Sequence, residues 1–159
     1  MQHNVLLLKA ISYKLKACSG FTLLEVLLSL AAIAVISGIA VPVYQSFQMR
    51  NDLDIATVEI AQSLRRAQTL AQAVDGDISW GIKIQSGSIT LFKGANYAAR
   101  DTAFDELFDL PANITPSGIS EIVFTKFTGL PQTTGTATLT SNNNETRTIT
   151  INSKGMVNY

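Results

Sequence analysis

The stretch "SGFTLLEVLLSLAAIAVISGIAVPVYQ", residues 19–45, decides the fold of this chain. From Phe21 to Val43 the only charged side chain is Glu25. As a helix this segment extends about 35 Å, at roughly 1.5 Å per residue, which exceeds the roughly 30 Å hydrocarbon core of a bilayer. The segment therefore predicts a membrane-spanning helix. A carboxylate within it costs about 2.5 to 3.5 kcal/mol on insertion scales, so Glu25 needs a purpose.

The charges that flank the apolar segment predict its orientation. The excess of lysine before the segment places the N-terminus in the cytoplasm and the remainder across the membrane. A secretory signal is disfavoured, because its apolar core is shorter and its cleavage site follows the core. A lipoprotein signal is disfavoured because Cys18 precedes the apolar segment, and a plain membrane anchor leaves the carboxylate unexplained. Three lysines and no acidic residue precede the segment: Lys9, Lys14 and Lys16.

The composition after Gly20 excludes several kinds of chemistry. The single cysteine, Cys18, and the single histidine, His3, both lie before that glycine. The part that follows therefore lacks Ser-His, Cys-His and His-ligated metal chemistry, and it has no glycine-rich phosphate loop. It holds 9 basic and 12 acidic residues, a net charge of −3, which gives no global attraction for nucleic acid. We expect no enzymatic activity, no cofactor and no metal.

The same stretch resembles the N-terminal signature of the type IV pilin and pseudopilin superfamily. Gly20, Phe21, Thr22, Leu23 and Glu25 fit the family pattern position by position. The resemblance implies that residues 1–20 are a leader, which a prepilin peptidase removes by cutting after Gly20 on the cytoplasmic face. Phe21 is then N-methylated. It also implies three partners in the inner membrane: the peptidase, an assembly platform and other pilin or pseudopilin subunits.

This resemblance gives Glu25 a role. Cleavage creates a cationic amine on Phe21, and in a filament the carboxylate of one subunit can pair with the amine of its neighbour. Such a pair sets the axial alignment of subunits, because a buried carboxylate is tolerated when paired and costly when unpaired. The alternative is that Glu25, close to the helix end, extends to the lipid headgroups. Both arrangements can hold at different stages: Glu25 extends to the headgroups before assembly and pairs with the neighbouring amine after it.

Gly38 and Pro42 form a second match to the family. A proline in a helix removes one hydrogen bond and clashes with the carbonyl four residues earlier, which here belongs to Gly38, a weak helix former. The resemblance suggests that the helix stretches or melts between these two residues during filament assembly. The alternative is a static kink near the membrane surface.

The chain organisation follows from a change of hydrophobic period. The resemblance and the pattern together predict an α+β fold in which one long N-terminal helix packs on a C-terminal antiparallel β domain. The helix comprises a membrane or filament-core part, 21–43, and an amphipathic part, 44–75, which ends at "DGD". The Arg65-Arg66 pair is expected to be solvated rather than to contact a partner. The amphipathic part has one apolar stripe: Leu53, Ala56, Ile60, Leu64, Ala67, Ala71 and Val74.

The globular part, 76–159, has the period of strands. "DISWGIKIQ" and "SITLFKG" predict a hairpin that turns at Ser86-Gly87, with Trp80 in the core. "EIVFTKF", "GTATLTS" and "TRTITINSKGMVNY" predict three further strand regions. The intervening "ANYAARDTAFDELFDLPANITPSG" is expected to be an irregular connection. Its four acidic residues are a weak candidate for calcium, because their spacing fits no known ligand loop: Asp101, Asp105, Glu106 and Asp109.

The order of these strands also resembles the general secretion pathway protein H family of minor pseudopilins and minor pilins. The absence of a C-terminal calcium loop or disulfide loop favours a minor over a major subunit. The resemblance implies a structural subunit of a type II secretion pseudopilus or a type IV pilus. The alternative is a minor pilin that binds DNA for uptake. Four cations are candidates for contacts with DNA or a partner: Lys93, Lys126, Arg147 and Lys154.

Overall fold

The computed structural model of the chain describes residues 20–159, so the leader predicted at 1–20 lies outside the described residues except for Gly20. The chain divides into two compact units, Met1–Ala40 and Val41–Tyr159. The predicted α+β class is confirmed: one long N-terminal helix precedes and packs on an antiparallel β domain. The β domain consists of two sheets rather than one.

Helix α1, Leu23–Gln72, contains 50 residues, which corresponds to about 75 Å. Every described side chain from residue 20 to residue 40 is exposed. In the second unit, burial on α1 begins at Leu53 and recurs at spacings of three or four residues. The predicted stripe is confirmed from Leu53 to Ala71, and its members are fully or almost fully buried. The helix packs through this stripe on both sheets.

The prediction was wrong at Val74, the last member of the stripe. The helix ends at Gln72, and Val74 has a φ of 56°, in the left-handed region. A left-handed residue cannot continue an α-helix, so its side chain leaves the stripe and is only partly buried. The "DGD" segment forms a separate 3₁₀ turn, Asp75–Asp77. This turn is anchored by Trp80, whose Nε1 donates a 2.9 Å hydrogen bond to the carbonyl oxygen of Asp75.

Eight strands follow the helix and form two four-stranded antiparallel sheets. The first sheet has the order β3-β2-β1-β5 and the second the order β4-β6-β7-β8. The predicted β1–β2 hairpin is confirmed, with its turn at Gly87, where φ is 84°. The strand bounds are β1 Trp80–Gln85, β2 Ser88–Lys93, β3 Asp101–Asp109, β4 Ile114–Gly118, β5 Glu121–Phe124, β6 Gly135–Ser141, β7 Thr146–Ile151 and β8 Val157–Asn158.

The prediction of an irregular connection between β2 and β5 was wrong. The segment contains β3, which pairs with β2, and β4, which pairs with β6. Both are edge strands of their sheets. Most of β3 is exposed, so it needs no alternation of apolar and polar residues. β4 contains Pro116, which is tolerated in a strand mainly at an edge. Neither strand therefore shows the pattern of a half-buried strand.

The core lies between the helix stripe and the inner faces of both sheets. Trp80 is 4% exposed and belongs to this core, as predicted. The largest fully buried side chains of this core include Ile82, Phe124 and Leu139, which come from β1, β5 and β6. Because one apolar face of α1 serves two sheets, the amphipathic half of the helix is an integral part of the β domain.

Candidate functional site

The predicted cleavage site lies just before the first turn of α1. Gly20 and Phe21 have no regular secondary structure, and α1 begins two residues later at Leu23. Phe21 is 81% exposed, and a Cβ added at Gly20 would meet no atom within 4 Å. A peptidase binds its substrate as an extended, accessible backbone. The Gly20–Phe21 bond is accessible and lies outside regular secondary structure.

Thr22 caps the helix, a role that the sequence analysis missed. Its Oγ1 accepts a 3.2 Å hydrogen bond from the backbone amide of Glu25. Its carbonyl oxygen accepts the first helical hydrogen bond, 3.2 Å from the amide of Val26. The order Thr-x-x-Glu is the sequence signature of a capping box, so "TLLE" could have revealed this cap. Thr22 therefore fixes where the helix begins relative to the cleavage site.

Glu25 lies in the first turn of α1, on the C-terminal side of this cap. The helix macrodipole is positive at this end and stabilises a nearby carboxylate by about 0.3 to 1 kcal/mol. The Glu25 side chain is exposed and forms no ion pair within residues 20–159. Its backbone carbonyl accepts a 2.7 Å bond from Ser29 Oγ. The carboxylate is thus free to meet a cation from outside the described chain.

Gly38 and Pro42 both lie inside a continuous helix. A Cβ at Gly38 would meet no atom within 4 Å. Pro42 has no amide hydrogen, so the carbonyl oxygen of Gly38 lacks its usual helical donor. One turn later, Ser46 Oγ donates a 3.1 Å bond to the carbonyl oxygen of Pro42. The proposed stretching of this segment stays a prediction.

The apolar part of α1 presents a long exposed surface. An 18-residue window of the helix has a mean hydropathy of 2.5, and none of that window is buried. The helix is therefore long and apolar enough to cross a membrane. Large apolar side chains along this surface are at least 46% exposed: Phe21, Leu23, Leu24, Val26, Leu27, Leu28, Leu30, Ile33, Val35, Ile36, Ile39 and Val43.

Two of the four predicted contact cations are engaged by carboxylates of the same chain. Lys126 Nζ lies 3.0 Å from Asp77 Oδ1. Arg147 Nε lies 2.8 Å from Asp54 Oδ1 on α1. Both cations are partly exposed, so each keeps N–H donors that a second anion can reach. The carboxylates offset part of the positive charge at these two positions, and the contact of Lys126 and Arg147 with DNA or a partner stays a prediction.

The other two cations lie in different places. Lys93, at the end of β2, has its Nζ 3.9 Å from the ring centroid of Phe104, a cation–π contact. Lys154 is exposed in the loop between β7 and β8, next to Arg65. The structure does not bring the four predicted cations together into one basic surface.

The four acidic residues considered for calcium all lie on β3, and two of them have basic partners. Asp105 Oδ2 accepts a 2.8 Å bond from Arg100 Nε, and Glu106 Oε1 lies 2.7 Å from Arg66 Nη2. The hydrogen bond to Asp105 raises the pKa of the Arg100 guanidinium, which stays cationic. No cluster of three or more metal-ligating side chains occurs within residues 20–159. Arg66 is exposed, as expected for a solvated face, and it also pairs with Glu106 on β3.

The chain carries a known prokaryotic motif at its N-terminus. Residues 15–41 match the prokaryotic N-terminal methylation motif, and the match spans the predicted cleavage site, Glu25 and Gly38. No solved structure matches the chain. The motif, at the start of a long apolar helix, supports a subunit of the type IV pilin and pseudopilin class. Proteins with this motif are structural, are processed by prepilin peptidase and assemble with other pilin subunits.

Proposed function

We propose that the chain is a minor pseudopilin or minor pilin, a structural subunit of a type II secretion pseudopilus or a type IV pilus. One observation carries the proposal: the methylation motif lies at the start of a 50-residue helix whose first half is exposed and apolar. An exposed apolar helix needs a bilayer or neighbouring helices around it. A subunit that moves from membrane to filament meets both environments.

The proposal assigns a role to each part of the chain. Prepilin peptidase removes residues 1–20 by cutting after Gly20, and Phe21 becomes the N-methylated first residue. Residues 21–43 anchor the subunit in the inner membrane and then form the filament core. Residues 44–75 and 76–159 form the periplasmic part. The N-terminus before cleavage is cytoplasmic.

Glu25 aligns subunits during assembly in this proposal. Its backbone amide donates a hydrogen bond to Thr22 Oγ1 in the first helical turn. Its carboxylate has no cation partner within the described chain. The Phe21 amine of a neighbouring subunit supplies the missing charge. Because both groups lie in apolar surroundings, each strongly favours the axial position that pairs them.

The minor-subunit assignment rests on resemblance to the general secretion pathway protein H family. Strands β1, β2, β5, β6 and β7 occur in the chain order used for that resemblance. The assignment leaves cargo and neighbouring subunits open. The DNA-uptake alternative gains no specific support, since Lys126 and Arg147 are engaged by Asp77 and Asp54.

Substitution of Glu25 tests the proposal. In cells that produce the complete filament system, Glu25→Gln removes the charge and keeps the shape of the side chain. We expect normal cleavage and membrane insertion, with at least tenfold less subunit in sheared filaments, measured by immunoblot. The control is Asp109→Asn, which removes a carboxylate from exposed β3 and leaves incorporation unchanged. Normal incorporation of Glu25→Gln would contradict the alignment role.

A further inference from the structure

Most basic side chains of the described chain already have a carboxylate partner. Residues 20–159 contain nine lysines and arginines. Lys93 has no carboxylate partner but lies over the Phe104 ring. Arg65 and Lys154, both exposed and without an ion pair to a described residue, line the same recess. The six basic residues in ion pairs are Arg50, Arg66, Lys83, Arg100, Lys126 and Arg147.

This recess lies between the last turns of α1 and strand β8 and has a volume of about 280 Å³. Its wall is held by hydrogen bonds. Gln68 Nε2 donates a 3.1 Å bond to the carbonyl oxygen of Gly129. Asn152 Oδ1 accepts bonds of 3.0 Å from the amides of Lys154 and Met156. The cationic loop is therefore fixed before any ligand binds, which reduces the entropy lost on binding.

The rim of the recess is apolar. Met156 and Tyr159 are each 57% exposed, and the guanidinium carbon of Arg65 lies 5.4 Å from the Tyr159 ring centroid. Val157 lines the recess and belongs to β8, the last strand of its sheet. In the part of the chain that the structure describes, the outer edge of β8 has no strand partner. An extended segment can add to such an edge through backbone hydrogen bonds.

We propose that this recess binds an extended acidic and apolar peptide segment of a partner protein. Carboxylates of the segment pair with Arg65 and Lys154. The guanidinium of Arg65 can form two parallel hydrogen bonds to one carboxylate. Apolar side chains of the segment cover Met156 and Tyr159, and its backbone lies along β8. The inference rests on the proposed function in one respect: that function places the recess in the periplasm, where the partner would meet it.

A peptide partner fits these features better than nucleic acid does. Only two basic residues without an ion pair line the recess, and the chain after Gly20 has a net charge of −3. Nucleic-acid binding draws its affinity from neutralising many phosphates. The recess instead combines two exposed positive charges with an apolar rim and a free strand edge, which suits a short segment of alternating acidic and apolar residues.

The test uses the full chain in detergent micelles and a panel of labelled eight-residue peptides. In these peptides aspartate or glutamate alternates with valine, isoleucine or tyrosine, and fluorescence anisotropy measures binding. We expect at least one peptide to bind in a salt-dependent manner, and at least tenfold more weakly to the double variant Arg65→Gln, Lys154→Gln. Arg66→Gln is the matched control, because Arg66 neighbours Arg65 but is paired with Glu106. It should leave peptide affinity within twofold.

Three results would overturn the proposal. The first is that no acidic peptide binds better than the same peptide with lysine at its acidic positions. The second is that binding survives the double variant. The third is that a single-stranded oligothymidylate binds more tightly and displaces the peptide, which would assign the recess to nucleic acid. None of these outcomes depends on filament incorporation, so this proposal and the proposed function fail separately.

Discussion

Arg147 on β7 reaches across to Asp54 on α1, with 2.8 Å between Nε and Oδ1. A second ion pair, 2.7 Å between Arg50 Nε and Glu145 Oε1, lies one turn earlier on the helix. Both connect the second sheet to the part of α1 where burial begins. Arg147, predicted from the sequence to contact DNA or a partner, thus also pairs with the helix of its own chain.

A double-mutant cycle measures the interaction energy between Arg147 and Asp54. We expect Arg147→Gln and Asp54→Asn to have a coupling energy of about 0.2 to 1 kcal/mol, the range for exposed pairs. The measurement is urea unfolding of the full chain in detergent micelles at low and high salt. High salt should reduce the coupling. A coupling of zero at low salt would show that the contact contributes no stability.

Gly20→Val tests the cleavage site. An added Cβ meets no atom within 4 Å in the described chain, so the fold should be unaffected. We expect the leader to stay attached, because a branched side chain hinders an extended backbone from entering a narrow peptidase site. Intact-mass measurement of the protein in the membrane fraction shows directly whether residues 1–20 are still attached. Gly38→Ala is the control and should be cleaved normally.

Thr22→Val removes the helix cap while keeping the size of the side chain. We expect the amide hydrogen of Glu25 to exchange with solvent about fivefold faster, since loss of an N-cap acceptor costs typically about 1 kcal/mol. Hydrogen exchange followed by NMR on the full chain in micelles provides the measurement. Thr22→Ser retains the hydroxyl and should exchange as the parent does. Equal rates in the valine variant would mean that the cap is absent in solution.

Gly118→Ala and Gly87→Ala separate backbone strain from collision. Both glycines have a φ in the left-handed region, 82° and 84°. A Cβ at Gly118 collides with the backbone carbonyl oxygen of Thr136, whereas one at Gly87 meets nothing within 4 Å. We expect about 1 kcal/mol of destabilisation at Gly87 and clearly more at Gly118, measured by urea unfolding. Equal losses would exclude the collision.

Much of the fold follows from local patterns in the sequence. The stripe from Leu53 to Ala71 keeps helical spacing because one face of α1 is buried against two sheets. The β1–β2 hairpin follows from alternation around Gly87. The helix is half buried, and half burial imposes a readable period on its sequence. Strands β1 and β2 are mostly buried, but the turn residues between them mark the hairpin.

Other features carry no such period. Strand β3 pairs along one edge and is mostly exposed, so polar residues and residues such as Leu107, which is 71% exposed, occur there without order. Val74 continues the helical spacing, but its left-handed backbone is set by the following turn. The pairing of Arg147 with Asp54 joins residues far apart in the chain, which spacing alone does not reveal. The Thr22 cap, in contrast, can be predicted from the local sequence "TLLE".

The contacts between α1 and the two sheets also bear on how the β domain responds to mechanical force. A pull on α1 along its axis enters the domain at Arg50 and Asp54 and then passes to the apolar contacts from Leu53 to Ala71. Such a force makes the helix slide along the sheets. The contacts of five helical turns therefore bear it together, instead of breaking one after another.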